Sequence, residues 1–443
     1  MNVILFAWAI RPDLLGVTSL VRASFLEGSC YPLLLHFFHS RSLMLGKITE
    51  RWVKLALRLF QPVDVGGRIL FVADGLKIPK EGKKMPGVKS LHQESVDNSK
   101  AEFIMGHSLQ AISLLVAAGT AQVFAIPLIS RICEGFRPRK AKDRKSLLDK
   151  LVEMFLDIVR IAGCDAVLVA DAYYASRKVI LPLLGMNQHL VTRVRNNSVA
   201  YQCAPKLKVK RKGRPKKYGQ KHRLLNFFKG AKAFSEGLSP VYGEDKVTIR
   251  YRYVDLIWRP VGRVVRFVFV KHPTRGSIIL LSTDLSMDAL TVIRIYGYRF
   301  KIEVSFKHAI HRIGAYAYHF WMRSMKPTKR GDGDKCIEQM SPKYQRNVAR
   351  KIGAYHAYIQ LACVLQGLLL HLAINFRIQV WVTFNGWLRT MKPDLVPSEL
   401  VVMKALESRF FDFLSSTSID PKLKKFILER IAPERAPGFN LAA

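Results

Sequence analysis

Arg68-Ile69-Leu70-Phe71-Val72-Ala73-Asp74-Gly75 and Ala166-Val167-Leu168-Val169-Ala170-Asp171 are two short apolar runs that each end sharply on an aspartate. An unbroken apolar run of this length, bounded by turn residues, suits a strand covered on both faces. Pro62 and Gly66-Gly67 set off the first run. Further runs at about Gln110–Ala118 and Gln122–Ile129 predict more strands. Leu147, Leu148, Leu151, Phe155, Ile158 and Val159 then recur at helical spacing, and Gly163 stops that helix. Another helix and a strand from Leu190 to Val194 follow. Strands, helix, strand, helix, strand in this order predict an α/β sheet with helices on its faces.

Residues 1–60 read as amphipathic helices. Residues 206–221 carry nine Lys or Arg and no acid, which marks a solvated segment facing nucleic acid, or a linker. Residues 246–282 alternate polar and apolar, as in Val265-Arg266-Phe267-Val268-Phe269, and predict two or three antiparallel strands. About 197–287 is thus a β-rich insertion. Helical patterning resumes near Met287, runs past His311, and after a polar stretch at 323–351 continues to the end.

The chain has 443 residues, with 71 Lys and Arg against 33 Asp and Glu, a net charge of +38. Such a charge disfavours a small-molecule enzyme with a neutral surface and favours a polyanionic partner. An apolar fraction of 49% allows a large core, spread over about three domains. Six scattered cysteines, none in a C-x-x-C pair, form no disulfide framework and point to a reducing compartment. The apolar residues 2–10 lack a preceding cationic region, so no export signal is expected. The longest apolar stretch, Ala357 to Phe376, is interrupted by Gln360, Gln366, His371 and Asn375, as in a buried core helix rather than a membrane span.

If the two strands are parallel neighbours, Asp74 and Asp171 emerge at one sheet edge. Paired carboxylates repel unless a cation sits between them, and Mg²⁺ is a hard, oxygen-seeking candidate. The bland alternative is that each aspartate only caps a helix or turns the chain. A third carboxylate stands in Tyr296-Gly-Tyr-Arg299-Phe-Lys-Ile-Glu303, where Tyr296, Arg299 and Glu303 are spaced to share one helix face. That face offers a metal ligand, a guanidinium for phosphate and a phenol. An ordinary i, i+4 Arg–Glu pair is the alternative here.

Together these segments resemble a DDE-type transposase of a bacterial insertion sequence, in the subgroup marked by Tyr-x-x-Arg-x-x-x-Glu-x-x-x-x-x-x-Lys. Ala73-Asp74-Gly75 with its Lys-rich loop, Val169-Ala170-Asp171-Ala172-Tyr173-Tyr174, and Tyr296 to Glu303 carry the resemblance, over about residues 66–320. The family Lys falls on Ile310, and Lys307, on nearly the same helix face as Glu303, is the candidate substitute.

The resemblance implies a ribonuclease H-like core sheet flanked by helices, with a β-rich insertion and helical N- and C-terminal regions. It implies Asp74, Asp171 and Glu303 as catalytic ligands of two Mg²⁺ ions, with Mn²⁺ able to substitute. It implies double-stranded DNA as partner, as terminal inverted repeats and as target, with Tyr296, Arg299, Lys307, Lys83, Lys84, Arg211, Lys212 and Arg214 as contacts. Metal-dependent strand cleavage and strand transfer are the expected reaction, by a homodimer on paired ends in the bacterial cytoplasm, on the nucleoid. No membrane and no nucleotide cofactor are expected. The organisation that follows is 1–66, helical and DNA-binding; 67–196, first part of the core; 197–287, basic segment and insertion; 288–376, second part with the Glu-bearing helix; and 377–443, helical.

Lesser signals have plain alternatives. Lys212-Gly213-Arg214-Pro215 resembles a minor-groove hook or a flexible basic linker. Trp258 could stack on an extruded base or sit in the core. His308 and His311 lack the further ligands of a zinc site, and His107 is a core or loop histidine by default. Gly82 to Gly87 has the outer spacing of a phosphate loop, but Val88 replaces its lysine. Two other functions compete with the transposase: a catalytically idle DNA-binding derivative, and another ribonuclease H-like nuclease such as a junction resolvase.

Overall fold

The structure is a computed structural model that describes residues 1–93, 101–119, 122–205, 216–229, 234–416 and 420–436. Its centre is built from β1 (Arg68–Pro79), β2 (Phe103–Ala118), β3 (Gln122–Ile132), β4 (Ala166–Ala170) and β5 (His189–Arg193). β1, β2 and β3 form an antiparallel meander, while β4 lies parallel to β1 and β5 parallel to β4. The spatial order is therefore β3-β2-β1-β4-β5. Gly66 and Gly67, at φ +59° and +77°, make the tight turn that leads into β1.

Both apolar runs are buried on two sides, as their lack of alternation predicts. Phe71 and Ala73 of β1, with Leu168 and Ala170 of β4, pack in a core with Phe155 and Ile158 of α5 (Leu147–Ala162) and Trp52 of α4 (Leu45–Leu59). Leu70, Val72, Val167 and Val169 face the other way, toward Val292 and Ile295 of α7 (Ala289–Gly297). α5 opens on a Ser146–Asp149 capping box and ends, as expected from the sequence, at Gly163 in the left-handed region.

The insertion is not a separate layer. β6 (Val199–Cys203), β7 (Thr248–Trp258), β8 (Arg263–His272) and β9 (Gly276–Ser282) continue the central sheet, with β9 antiparallel to β5. β7, β8 and β9 were expected from alternation; their attachment to β5 is a long-range pairing that alternation does not encode.

The helices α1 (Asn2–Ile10), α2 (Gly16–Ala23) and α3 (Cys30–His39) share one core with α9 (Pro342–Asn375) and α11 (Glu399–Ser408). N- and C-terminal helices thus form one body. α9 is the one described helix long and apolar enough to cross a membrane, but most of its apolar window is buried within the fold. Two of its polar interruptions are used internally: Gln360 Nε2 donates to the Leu128 carbonyl at 2.8 Å, and Gln366 is equally buried.

Candidate active site

Asp74 and Asp171 occupy one row of the sheet. Ala73 pairs with Ala170, and Ala170 with Thr192, so the next residue on each strand path is Asp74, Asp171 and Arg193. Asp74 and Asp171 follow Ala73 and Ala170, which pack on the α5 side, and all three are half-buried. Asp171 stands at the N-cap position of a short 3₁₀ turn, yet its side chain makes no capping bond. Its backbone carbonyl accepts from Thr192 Oγ1 at 2.8 Å, which fixes the turn against β5.

One expectation needs correction. β1 does not end at Asp74 but runs on to Pro79, because β2 continues to pair with it after β4 has stopped, with Asp74 opposite Ala111 and Pro79 opposite Gly106. A polar residue ends a run in sequence, but not a strand that still has a partner on one edge.

A second correction concerns the helix bearing Glu303. α7 stops at Gly297 and α8 (Phe300–His308) begins three residues later. The joint is held by tight i→i+3 bonds from Tyr298 to Ile295 and from Arg299 to Tyr296, each 3.0 Å. Tyr296, Arg299 and Glu303 therefore lie on two helices and their joint, not on one helix face. α8 is followed by a π-helical turn at Ala309–Ile313. Ile310, at the family Lys position, is half-buried against the N- and C-terminal core, whereas Lys307 is exposed one turn after Glu303.

Arg299 binds the carboxylates together. Its Nη1 donates to Asp74 at 3.2 Å and its Nη2 to Glu303 at 2.5 Å. Burial pushes the Asp74 carboxyl up from 3.8 to about 6; Arg299 opposes that shift, while the nearby charges of Asp171 and Glu303 add to it. Tyr296 is also raised, chiefly by burial, with Arg299, Asp171 and Arg193 as its charged neighbours. Beneath the site the buried Tyr174 hydroxyl donates to Gln110 at 2.6 Å. Arg193 escaped the sequence reading because its place beside Asp171 depends on strand register alone.

The residues fit a hard divalent cation by donor chemistry: three carboxylates, with no thiolate among them. Among the described residues, no three or more His, Cys, Asp or Glu side chains are already drawn into a cage. A guanidinium stands as the cation between two of the acids instead.

Residues 131–313 match the family of the transposase DDE domain. That segment of the chain is similar to the transposase DDE domain. The match begins after Asp74 and includes Asp171, the insertion and Glu303. No curated protein matches the chain.

Around the matched segment, the other expected residues are dispersed. Lys83 and Lys84 are exposed on the loop after β1, which is bonded to 316–328 through Lys83 and Lys84 carbonyls that accept from Thr328 and Met322. Arg211, Lys212 and Arg214 lie outside the described residues. Trp258 is only 6% exposed and packs in the core, so it does not stand where a base could stack. His107 is a core residue on Tyr355 and Phe320, its Nε2 3.0 Å from the Pro86 carbonyl. His308 bonds to Glu399.

Proposed function

We propose that the protein is a cut-and-paste transposase that binds the ends of its insertion sequence, cuts a DNA strand there, and joins the freed 3′-hydroxyl to another phosphodiester. The single observation that carries this reading is the shared row of Asp74 and Asp171, with Glu303 tied to Asp74 through Arg299. In this reading the core is ribonuclease H-like, supported by its β3-β2-β1-β4-β5 order. Residues 1–66 and 377–443 are its helical flanks, 67–196 and 288–376 its two halves, and 197–287 its insertion.

Asp74, Asp171 and Glu303 would hold two Mg²⁺ ions, or Mn²⁺ in their place, which lend positive charge to the attacking and leaving oxygens of the phosphodiester. Arg299, freed from one of its carboxylates, presents a planar fork to a phosphate of the bound end. Tyr296 and Arg193 flank that phosphate from α7 and β5. Lys307, Lys83 and Lys84 hold the DNA backbone further out, with Arg211, Lys212 and Arg214 of the basic segment. The helices and strands position these groups, and positioning supplies much of the rate. Two copies acting on paired ends in the bacterial cytoplasm complete the proposal.

The test is a cleavage assay on labelled DNA carrying the element's own inverted repeats, with Mg²⁺ and with chelator. Glu303→Gln keeps size and hydrogen bonding but removes the charge, so cleavage should fall by more than about a hundredfold while binding survives. An idle DNA-binding derivative shows no metal-dependent cleavage in the parent. A different nuclease cuts branched DNA without inverted repeats.

A further inference from the structure

We propose that the pair of half-buried His308 and buried Glu399 is a positioning device: it fixes the rotation of α8, and through it the placement of Glu303 and the affinity of the site for a divalent cation. The inference rests on the reading of Glu303 as a ligand given above.

α8 works on two faces. Glu303 and Arg299 look toward the sheet edge, where Asp74 lies. Ser305 and His308 point elsewhere, about 200° and 140° around the helix from Glu303. On that far side Glu399, the first residue of α11, is only 2% exposed. One of its carboxylate oxygens accepts from His308 Nδ1, and the other from Gln366 Nε2 at 3.3 Å. The same Gln366 amide donates to the Ser305 carbonyl at 3.1 Å and to the Ser305 hydroxyl at 3.3 Å. α8, α9 and α11 therefore meet in one closed polar network.

Packing alone does not explain this network. A buried carboxylate is costly unless paired, and an apolar pair in its place commonly gives equal or greater stability. What hydrogen bonds add is direction. α8 needs it, because its rotation is not inherited from either neighbour: the tight joint at Tyr298–Arg299 precedes it and the π-helical turn follows it. A cavity of about 180 Å³ beside the network, lined by Lys301, His308, Gln366 and Glu399 among others, leaves part of this side unpacked. Apolar contact there does not select one orientation, whereas a histidine locked onto a buried carboxylate does. If α8 turned, Glu303 would swing away from Asp74 and Asp171.

The experiment titrates Mn²⁺ alone into the full chain and follows the free ion by electron paramagnetic resonance, with thermal unfolding measured in parallel. His308→Ala should weaken Mn²⁺ binding about tenfold, the size of loss typical when a group supporting a metal ligand is removed. His308→Asn should restore most of it, because its amide nitrogen sits where Nδ1 does. Asp334→Ala is the control: it breaks the half-buried ion pair with Lys89 (2.9 Å) and should lower the unfolding temperature without shifting Mn²⁺ affinity. Should His308→Ala fail to fold, His308→Leu fills the space without a donor and is read in the same way. Parent-like affinity in His308→Ala, or equal weakening in Asp334→Ala, overturns the positioning role. Glu303→Gln separates the two readings. If it binds Mn²⁺ as tightly as the parent, the ligand assignment fails and the positioning role with it. If it binds more weakly while His308→Ala does not, only the positioning role is lost.

Discussion

Arg299 donates to Asp74 across 225 positions of sequence, Nη1 to Oδ2 at 3.2 Å, while its Nη2 holds Glu303 one helical turn away. One guanidinium thus neutralises a strand carboxylate and a helix carboxylate together. A divalent cation would satisfy the same pair. In the proposed function, Arg299 releases at least one of these acids before both hold metal.

Arg299→Ala should therefore split two affinities. Binding of end-containing DNA should weaken by about 1.5–3 kcal/mol, the worth of hydrogen bonds to a charged group, or roughly ten- to a hundredfold. Affinity for Mn²⁺ alone should not fall, since a competing cation has been removed. Fluorescence anisotropy and Mn²⁺ titration measure the two separately. A fall in Mn²⁺ affinity would mean that Arg299 supports the metal site rather than competing with it.

Asp74 makes the metal-free protein sensitive to pH in a direction opposite to the usual carboxylate. Its folded carboxyl lies near 6 against 3.8, so the folded state holds the proton more tightly than the unfolded state. Stability from this group is present below the unfolded value and is lost as pH rises from about 4 through about 6. Two units correspond to about 3 kcal/mol. Asp74→Asn, which mimics the neutral form, should match the parent in unfolding temperature near pH 4 and exceed it above pH 6. Equal unfolding curves at all pH values would show that burial does not control this carboxyl.

Tyr174→Phe tests the floor of the site. The lost hydroxyl leaves the Gln110 side chain, 2% exposed, without the partner it has at 2.6 Å. An unsatisfied buried amide costs about 1–3 kcal/mol, which chemical denaturation will show. A change below a few tenths would mean that Gln110 finds another partner.

DNA binding should be steep in salt. Each neutralised phosphate contributes about −0.9 to the slope of log K against log salt. The Lys-rich loop at 77–89, the basic segment 206–221 and a third cluster of Arg137, Arg139, Lys140, Lys142, Arg144 and Lys145 predict on the order of six to ten contacts, hence a slope of roughly −5 to −9. The third cluster is partly countered, since Arg144 reaches Asp334 at 3.8 Å and Lys145 reaches Glu153 at 2.6 Å. A slope near zero rules out phosphate-dominated binding.

Much of the architecture is local and therefore legible in the chain. The apolar runs at 68–73 and 166–170 read as doubly covered strands, and both became strands buried on two sides. The helix at 147–162 carries its own periodicity and, at Gly163, its own stop signal. The aspartates after those runs, and the Tyr296 to Glu303 spacing, were visible for the same reason: short motifs are written in consecutive residues. The alternation in 246–282 likewise announced antiparallel strands.

By itself the sequence determined which segments are strands or helices and which residue types could serve a metal and a phosphate, because these depend on near neighbours and side-chain chemistry. Only the tertiary structure decided the rest. Register between β1, β4 and β5 set Arg193 in the row of Asp74 and Asp171. Continued pairing with β2 carried β1 past Asp74, and a tight joint split the helix expected to bear Tyr296, Arg299 and Glu303. Packing closed Trp258 into the core and placed Glu399 behind α8. Each of these is a contact between residues distant in the chain, formed when buried area and hydrogen bonding across the whole fold outweigh local preference, and no window of sequence contains both partners.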